Sequence, residues 1–587
     1  MKNIYKIFAA LFLIVSVSSC SDFLDRKNPA YDSEGFYKTE EGLKEGVTGI
    51  YPLLYFDMNW AVPACIVLDH YTAYGLEQDE NRSIGAGGAL NPDNGKIQTF
   101  WSGEYQIIAR ANSVIDGAKD AIDEMSDAAK RYYAEARVIR AYAYYNLVSA
   151  YGDVPFFTAP VTVDQYKEGR TDKAKILDFI IKDLNEAAEY LPWIGEQRGR
   201  VDKAVAKGLI ARIGLFGGSF NVDNRGAEYF RAAADAAKDV IDNSGRSLAP
   251  NYEDLFNNAG QTKSEVRSEL LWELMYSTQG TKKLHTVGYG HSSRNYGSSV
   301  RFPSTMIVDT YECIDGKRID ESPLYNPCKP SANRDPRFKA TLAGHGDTIA
   351  YTNTDASFPQ LMILNTYDDK TRFYPRRNRW YSAPNVDVIA ASPSLANNGV
   401  GFLWRKYANE ISEPLMSSSM NLALMRLSEV YLSYAEAKIE LNELDETVYE
   451  AINTVRRRAG MPDVSADRIG NIDKMKQLVR RERKVELVME GMLFVDVRRW
   501  GICDMLNEFP SYGQPLPEIR YEGLAKTDIP NFKTDDRHDL NDIPSYQAYK
   551  EKLRVRDKNR FWEPKFMWWP IPRLETDRDP NLTNPEY

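Results

Sequence analysis

Histidine carries much of protein acid–base and metal chemistry, and this 587-residue chain holds only five: His70, His285, His291, His345 and His538. None lies in a His-Glu-x-x-His helix, which would set two imidazoles one turn apart on a metal. No Gly-x-Ser-x-Gly turn exposes a serine nucleophile. Gly316-Lys317 lacks the earlier glycine of a phosphate-cradling loop, and Gly85-Ala86-Gly87-Gly88 has the wrong spacing for a dinucleotide turn and reads as a flexible loop. Carboxylates are plentiful, 83 in all. A glycosidase pair is defined by separation in space, so sequence alone does not reveal one, and acids at this density read first as solvated helix faces. The residue chemistry points to a binding protein and not an enzyme, with no cofactor and no metal.

One cysteine does have a chemical setting. Lys2 and Lys6 form a short basic region, an apolar run from Ile7 to Val17 follows, and Ser18-Ser19-Cys20 closes it. The run is too short to span a bilayer, so residues 1–19 read as a lipoprotein signal peptide with Cys20 as the lipidated first residue of the mature chain. Each buried acyl methylene contributes about 0.8 kcal/mol, so two or more chains anchor stably without a transmembrane helix. Cys65, Cys313, Cys328 and Cys503 permit up to two disulfides, with Cys313 and Cys328 nearest in sequence, and none of their spacings resembles a zinc site.

A net charge of -9 lacks the basic footprint that nucleic acid requires. Aromatic residues make up 12% of the chain, enough for a large aromatic core or for a surface that stacks on ligands.

Helical periodicity organises the flanks. Tyr132, Ala136, Ile139, Ala143 and Leu147 fall at steps of four, three, four and four, one apolar face of a helix over 126–150 that Gly152 and Pro155 end. Further amphipathic helices are predicted over 104–124, 172–190, 202–216 and 226–242, with tetratricopeptide-like pairing. Residues 250–420 are rich in Gly, Pro, Ser, Asn and Tyr and read as loops with short strands, the usual home of a binding surface. Periodicity returns over 421–442, 445–459 and 471–490, and an irregular tail runs from 501 to 587. The predicted divisions are thus 1–19, 20–249 and 250–587, the last split into an irregular module (250–420), helices (421–500) and tail.

Several blocks resemble the SusD/RagB family of outer-membrane nutrient-binding lipoproteins. Residues 134–158, AEARVIRAYAYYNLVSAYGDVPFFT, are similar to its first long helix and exit. Asn333-Arg334-Asp335-Pro336-Arg337-Phe338 resembles its Arg-Asp-Pro-Arg motif. Residues 424–462 and 480–500 follow in the family's order, and WWPIPRLETDRDPNLTNPEY resembles its ending. The resemblance implies a mainly α fold, a SusD-like scaffold of about four tetratricopeptide-like helix pairs with a large irregular loop-rich module. It also implies a lipid-anchored position on the outer face of the outer membrane, beside a TonB-dependent, SusC-like transporter to which a glycan, or in some branches a peptide, is delivered. A surface glycoside hydrolase is the remaining, disfavoured alternative.

Most of the conspicuous motifs read as scaffold. Glu482, Arg483, Glu486, Glu490, Arg498 and Arg499 are expected to form buried ion pairs between helices, and Arg334, Asp335 and Arg337 to fix a loop. A sugar site needs rings for C–H faces and amide, carboxylate or guanidinium groups for hydroxyl edges. Two loops match where glycan-binding relatives place such groups. In Leu68–Ser83, Tyr71 or Tyr74 would stack, with Asp79, Asn81 and Arg82 at the edges. In the second, Arg294, Asn295 and Tyr296 precede Gly297, and Tyr296 is the leading candidate. Arg372–Trp380 is locally basic and reads either as a recognition element for acidic glycan or as a solvated loop or transporter contact.

Overall fold

The computed structural model describes residues 35–587 apart from 60–61, 79–83, 86–88, 163–166, 281–282, 291–299, 351–360, 377–378, 389, 392–393 and 409–416. Cys20 and the signal segment lie outside the described residues. The helices that build the scaffold are α1 (Glu40–Thr48), α2 (Ala64–His70), α3 (Gly95–Ala118), α4 (Asp127–Tyr151), α5 (Lys173–Ala188), α6 (Lys203–Ser219) and α7 (Gly226–Asn243). After a long irregular module come α8 (Leu427–Glu440), α9 (Glu446–Arg458), α10 (Ile472–Leu487) and α11 (Met492–Arg499). Short polar residues set their starts: the side chains of Asn94, Ser126, Asp172, Asp202, Asp445 and Asn471 each accept a first-turn N–H.

Helix α4 shows how the pattern becomes packing. Ala136, Ile139, Ala143 and Leu147 are all fully buried, as the periodicity requires. Ala134, Val138, Ala141, Tyr144 and Val148 are buried too, so the helix is covered on more than one side. Helices α3 and α5 flank it and α1 packs against it, which makes α4 a central rod and not a surface helix. Gly152 stops it at φ 72, where the Trp568 ring lies 3.2 Å from the place a Cβ would occupy, so a side chain there would be both strained and crowded.

Each scaffold helix packs on the next, α3 through α7, and α8 then packs on α7 and α6. The irregular module is therefore inserted between two helices that are neighbours in the stack. Two predicted helices differ in extent. The one placed at 104–124 starts at Gly95, because Phe100 and Trp101 bury their rings there despite glycines at 95 and 103. Residues 422–426 of the one placed at 421–442 form a strand, since this continuous apolar run finds a partner strand, and the helix begins at Leu427.

The sheets are small. Strands β1 (Gly75–Glu77), β2 (Leu270–Leu274), β3 (Arg301–Pro303), β4 (Thr348–Ala350), β5 (Leu361–Ile363), β6 (Lys370–Arg376), β7 (Arg379–Pro384) and β8 (Leu422–Arg426) include two two-stranded ladders, β1–β3 and β2–β8. A four-stranded antiparallel sheet runs in the order β7-β6-β5-β4.

The ladder β2–β8 delivers Arg426 into a buried ion network. Its guanidinium donates to Glu269 at 2.6 Å, Glu486 at 2.8 Å and Glu490 at 2.7 Å, with every partner almost fully buried. Arg337 reaches Asp335 at 2.6 Å, Glu482 at 2.9 Å and Glu486 at 3.0 Å. Arg483 pairs with Asp496 at 2.9 Å, and Arg499 with Glu436 at 2.6 Å. Burial alone would raise the Glu436 pKa, but the charges of Arg499 and Arg483 win and hold it at about 2. The expected pairing of Glu482, Arg483, Glu486, Glu490 and Arg499 is therefore present. Arg498 departs from it: it donates to the carbonyls of Phe494 and Met567 and its guanidinium lies 3.7 Å from the Phe494 ring centre, with burial lowering its pKa to about 10. Arg334 donates to the carbonyls of Pro330, Val308 and Tyr311, which fixes the loop as expected. Cys65, Cys313, Cys328 and Cys503 are all free thiols, so no disulfide joins Cys313 to Cys328.

Candidate functional site

Ladder β1–β3 pairs Gly75–Glu77, within the first predicted loop, with Arg301–Pro303, which follows the second. Gly75 pairs with Pro303, Leu76 with Phe302 and Glu77 with Arg301. One further bond, Gln78 N–H to the Val300 carbonyl at 2.8 Å, extends the pairing to the point where the first loop leaves and the second arrives. The chain leaves this ladder after Gln78 and rejoins it at Val300, residues far apart in sequence that the ladder holds side by side. Asp79, Asn81, Arg82, Arg294, Asn295 and Tyr296 themselves lie outside the described residues.

The base of this loop pair is built from charge and backbone bonds. Glu77 pairs with Lys96 at 2.8 Å. Arg556 donates to the carbonyls of Glu77 and Gln78, both at 2.9 Å, and its Nε reaches the Asn398 carbonyl. Arg554 binds the Asn397 side chain at 2.6 Å, and Arg560 reaches the Gly85 carbonyl at 3.3 Å. Three C-terminal arginines therefore hold the backbone on both sides of residues 79–83, at Gln78 and Gly85, and the turn at 396–398. Sequence reasoning missed them; the alternation Leu553-Arg554-Val555-Arg556, with Leu553 buried and both arginines half-exposed, was the available signal.

Tyr71 and Tyr74 do not belong to a stacking surface. They are 2% and 1% exposed. Helix α2 ends at His70, and the Thr72 hydroxyl donates to the Asp69 carbonyl while accepting the Tyr74 N–H, a turn that folds both rings inward. Tyr71 lies 6.1 Å from the Trp569 ring, and Lys484 Nζ stands 5.6 Å from the Tyr74 ring centre. Buried rings offer no face to a sugar, so this pair is corrected to core.

The basic stretch is likewise more ordered than a loop. Residues 370–384 form the β6–β7 hairpin, in which Arg372 is exposed opposite Ser382. The side chains from Phe373 to Trp380 lie outside the described residues.

The described histidines lie against polar partners, and His345 Nδ1 stands 3.2 Å from the Thr366 hydroxyl. Burial lowers the His70 pKa to about 3 and keeps the ring neutral, while His285 bonds the Met420 carbonyl at 2.9 Å and His345 accepts the Thr366 N–H. Among the described residues no group of three His, Cys, Asp or Glu side chains is placed to hold a metal, and no helix is long and apolar enough to cross a membrane.

Comparison with known proteins bears on this arrangement. A profile described as the SusD family matches residues 268–587, more than half of the chain. The chain belongs to the SusD family. A second profile, described as starch-binding associating with outer membrane, matches residues 22–215. Among curated SusD relatives, the SusD-like protein P25 of Formosa agariphila is 27% identical over 520 residues, covering 85% of this chain and 90% of its own. A SusD-like protein of Bacteroides ovatus is 26% identical and spans 100% of this chain and 98% of its own. The fold is shared with a SusD-like carbohydrate binding protein of Bacteroides fragilis at a TM-score of 0.74, 23% identity, covering 94% of this chain and 100% of that one. Another fold neighbour, solved with a xylogluco-oligosaccharide, aligns at a TM-score of 0.62 and 20% identity over 92% of this chain and 97% of its own. The mainly α architecture implied by the SusD/RagB resemblance is thus the one observed.

Proposed function

We propose that this SusD-family chain is a cell-surface glycan-binding lipoprotein. It captures oligo- or polysaccharide and delivers it to a partner TonB-dependent, SusC-like outer-membrane transporter, without catalysing a reaction. The observation that supports the binding part is the β1–β3 ladder with its Gln78–Val300 bond, which the candidate residues Asp79, Asn81 and Arg82 follow in sequence and Arg294, Asn295 and Tyr296 precede. Rigid roots under variable loops are how binding surfaces are held in place while their tips adapt to a ligand. Family membership supports glycan as the ligand class, and the Ser18-Ser19-Cys20 signal supports the anchor.

A glycan array run beside a peptide-release assay tests the ligand class. Saturable glycan binding without peptide cleavage or peptide capture is expected, whereas capture of peptides alone would move the chain to the peptide-delivering branch. Within the site, Tyr296→Ala is expected to weaken binding of the array's best glycan by on the order of 2 kcal/mol, with little change in melting temperature. A fall in stability of roughly 3–5 kcal/mol would instead make Tyr296 a core residue. Cys20→Ala is expected to move the protein from the membrane fraction to a soluble one, and continued labelling of that variant with a palmitate analogue would refute the anchor.

A further inference from the structure

A cavity of about 380 Å³ opens between the start of α10, the turn at 467–468, the segment 318–321 and the short helix Asp536–Asn541. It shares no wall residue with the candidate glycan-binding residues. Four cations and five carboxylates line it.

Most of that charge is settled within the wall. Arg318 bonds Asp539 at 2.6 Å and Glu321 at 3.1 Å, Lys533 pairs with Glu321 at 2.9 Å, and Lys474 pairs with Asp467 at 2.8 Å. Three groups are left over. Asp473 and Asp536 are exposed and form no ion pair among the described residues. The third is Arg468, 9% exposed, whose guanidinium makes no hydrogen bond among the described residues. Its Nη1 is closed off from solvent without an acceptor, whereas Nε and Nη2, which also lack one, are not closed off. Glu312 stands 3.7 Å from Arg468, beyond hydrogen-bond reach, and its charge is shared with Arg456 and Arg481. Burial and then the charge of Arg481 lower the Arg468 pKa, as for a cation short of partners. A largely buried guanidinium with unspent donors on a cavity wall is a seat for a carboxylate.

The three unspent groups define the chemistry of the ligand. Two carboxylates would repel a simple anion, and a simple amine would leave Arg468 without its acid. A molecule with one carboxylate and two amines answers all three. The Gln477 amide donates to the Asp539 carbonyl at 2.8 Å, which leaves its own oxygen to accept from an ammonium group. The volume falls in the range of small-ligand sites. We propose that this cavity is a second ligand site, which takes a small basic amino acid with its carboxylate on Arg468 and its ammonium groups toward Asp473 and Asp536.

Titration calorimetry on the full mature chain, at constant ionic strength and neutral pH, tests this with L-lysine, acetate and n-butylamine as probes. L-lysine should bind saturably, and the other two, each carrying part of its charge pattern, should bind about tenfold more weakly or less. Asp473→Asn combined with Asp536→Asn removes two exposed charges outside the buried network. It should weaken lysine binding by about tenfold and leave the melting temperature unchanged. Arg468→Gln should bring the affinity for L-lysine down to that for n-butylamine. The proposal is overturned if L-lysine does not bind, or if its binding is unchanged in the double aspartate variant. It also falls if n-butylamine binds the unaltered chain as tightly as L-lysine, since Arg468 would then contribute nothing.

Discussion

Arg426→Met is expected to destabilise the fold by about 3–5 kcal/mol, read as a fall in the urea midpoint without loss of a cooperative transition. The substitution preserves chain length but strands Glu269, Glu486 and Glu490, three carboxylates that Arg426 holds in a site where water does not reach. Arg337 and Arg458 still face Glu486, and Lys406 still pairs with Glu490 at 2.6 Å, so the network is weakened and not abolished. The cost arises from leaving charge buried and underpaired, which exceeds the net worth of the intact pairs. Arg457 supplies the contrast. It pairs with Glu450 at 2.8 Å and Asp463 at 2.6 Å in largely exposed positions, and Arg457→Ala should leave the urea midpoint nearly unchanged. Equal effects at the two sites would show that burial does not set the cost.

Glu104→Gln is expected to do the opposite at alkaline pH. Glu104 sits in α3, 1% exposed, accepting the Asn146 amide at 2.8 Å through Oε1, while Oε2 has no partner. No cation among the described residues is paired with it, so burial dominates and pushes its pKa up to about 8. A carboxyl whose folded pKa is raised contributes stability that is complete below the unfolded value, near 4.5, and is lost as pH rises through about 8. Each pKa unit corresponds to about 1.4 kcal/mol, so the full swing is on the order of 5 kcal/mol. Glutamine keeps an acceptor for Asn146 and removes the titration. Urea midpoints of the two proteins should coincide near pH 4 and diverge in favour of Glu104→Gln by several kcal/mol at pH 9. The burial of Asp69, with its pKa raised to about 7, adds a parallel slope to both proteins, so only their difference reports on Glu104. Parallel profiles for wild type and variant would place the ionised carboxylate in contact with water.

The deeper role of the buried charges is positional. Asp69, at the end of α2, accepts the N–H groups of Glu490 and Phe494 and so ties the root of the first loop to the start of α11. Arg426 carries the β2–β8 ladder into α10, and Arg556 clamps the first loop to the C-terminal strand. Each of these contacts joins segments far apart in the chain.

The sequence by itself determined the helices and the family. Periodicity and capping are local properties, so α4 through α7, α9 and α10 begin within a few residues of their predicted starts, all but α7 where a short polar side chain meets an apolar repeat. Glu482, Glu486 and Arg499 were legible as buried pairs because long runs of alternating charge inside an apolar helix pattern have few other stable outcomes. Only the tertiary structure decided which aromatic rings face inward. Tyr71 and Tyr74 look like binding residues when polar neighbours are counted along the chain, but a single Thr72 turn sends both into the core. It also decided that Leu422–Arg426 is a strand, since a short apolar run takes its form from the partner it meets, here Leu270–Leu274. The same holds for the candidate site. Its candidate segments were legible one at a time, whereas the ladder that pairs Gly75–Glu77 with Arg301–Pro303 and the bonds of Arg556 to Glu77 and Gln78 depend on contacts between residues hundreds of positions apart, for which no local spacing carries a signal.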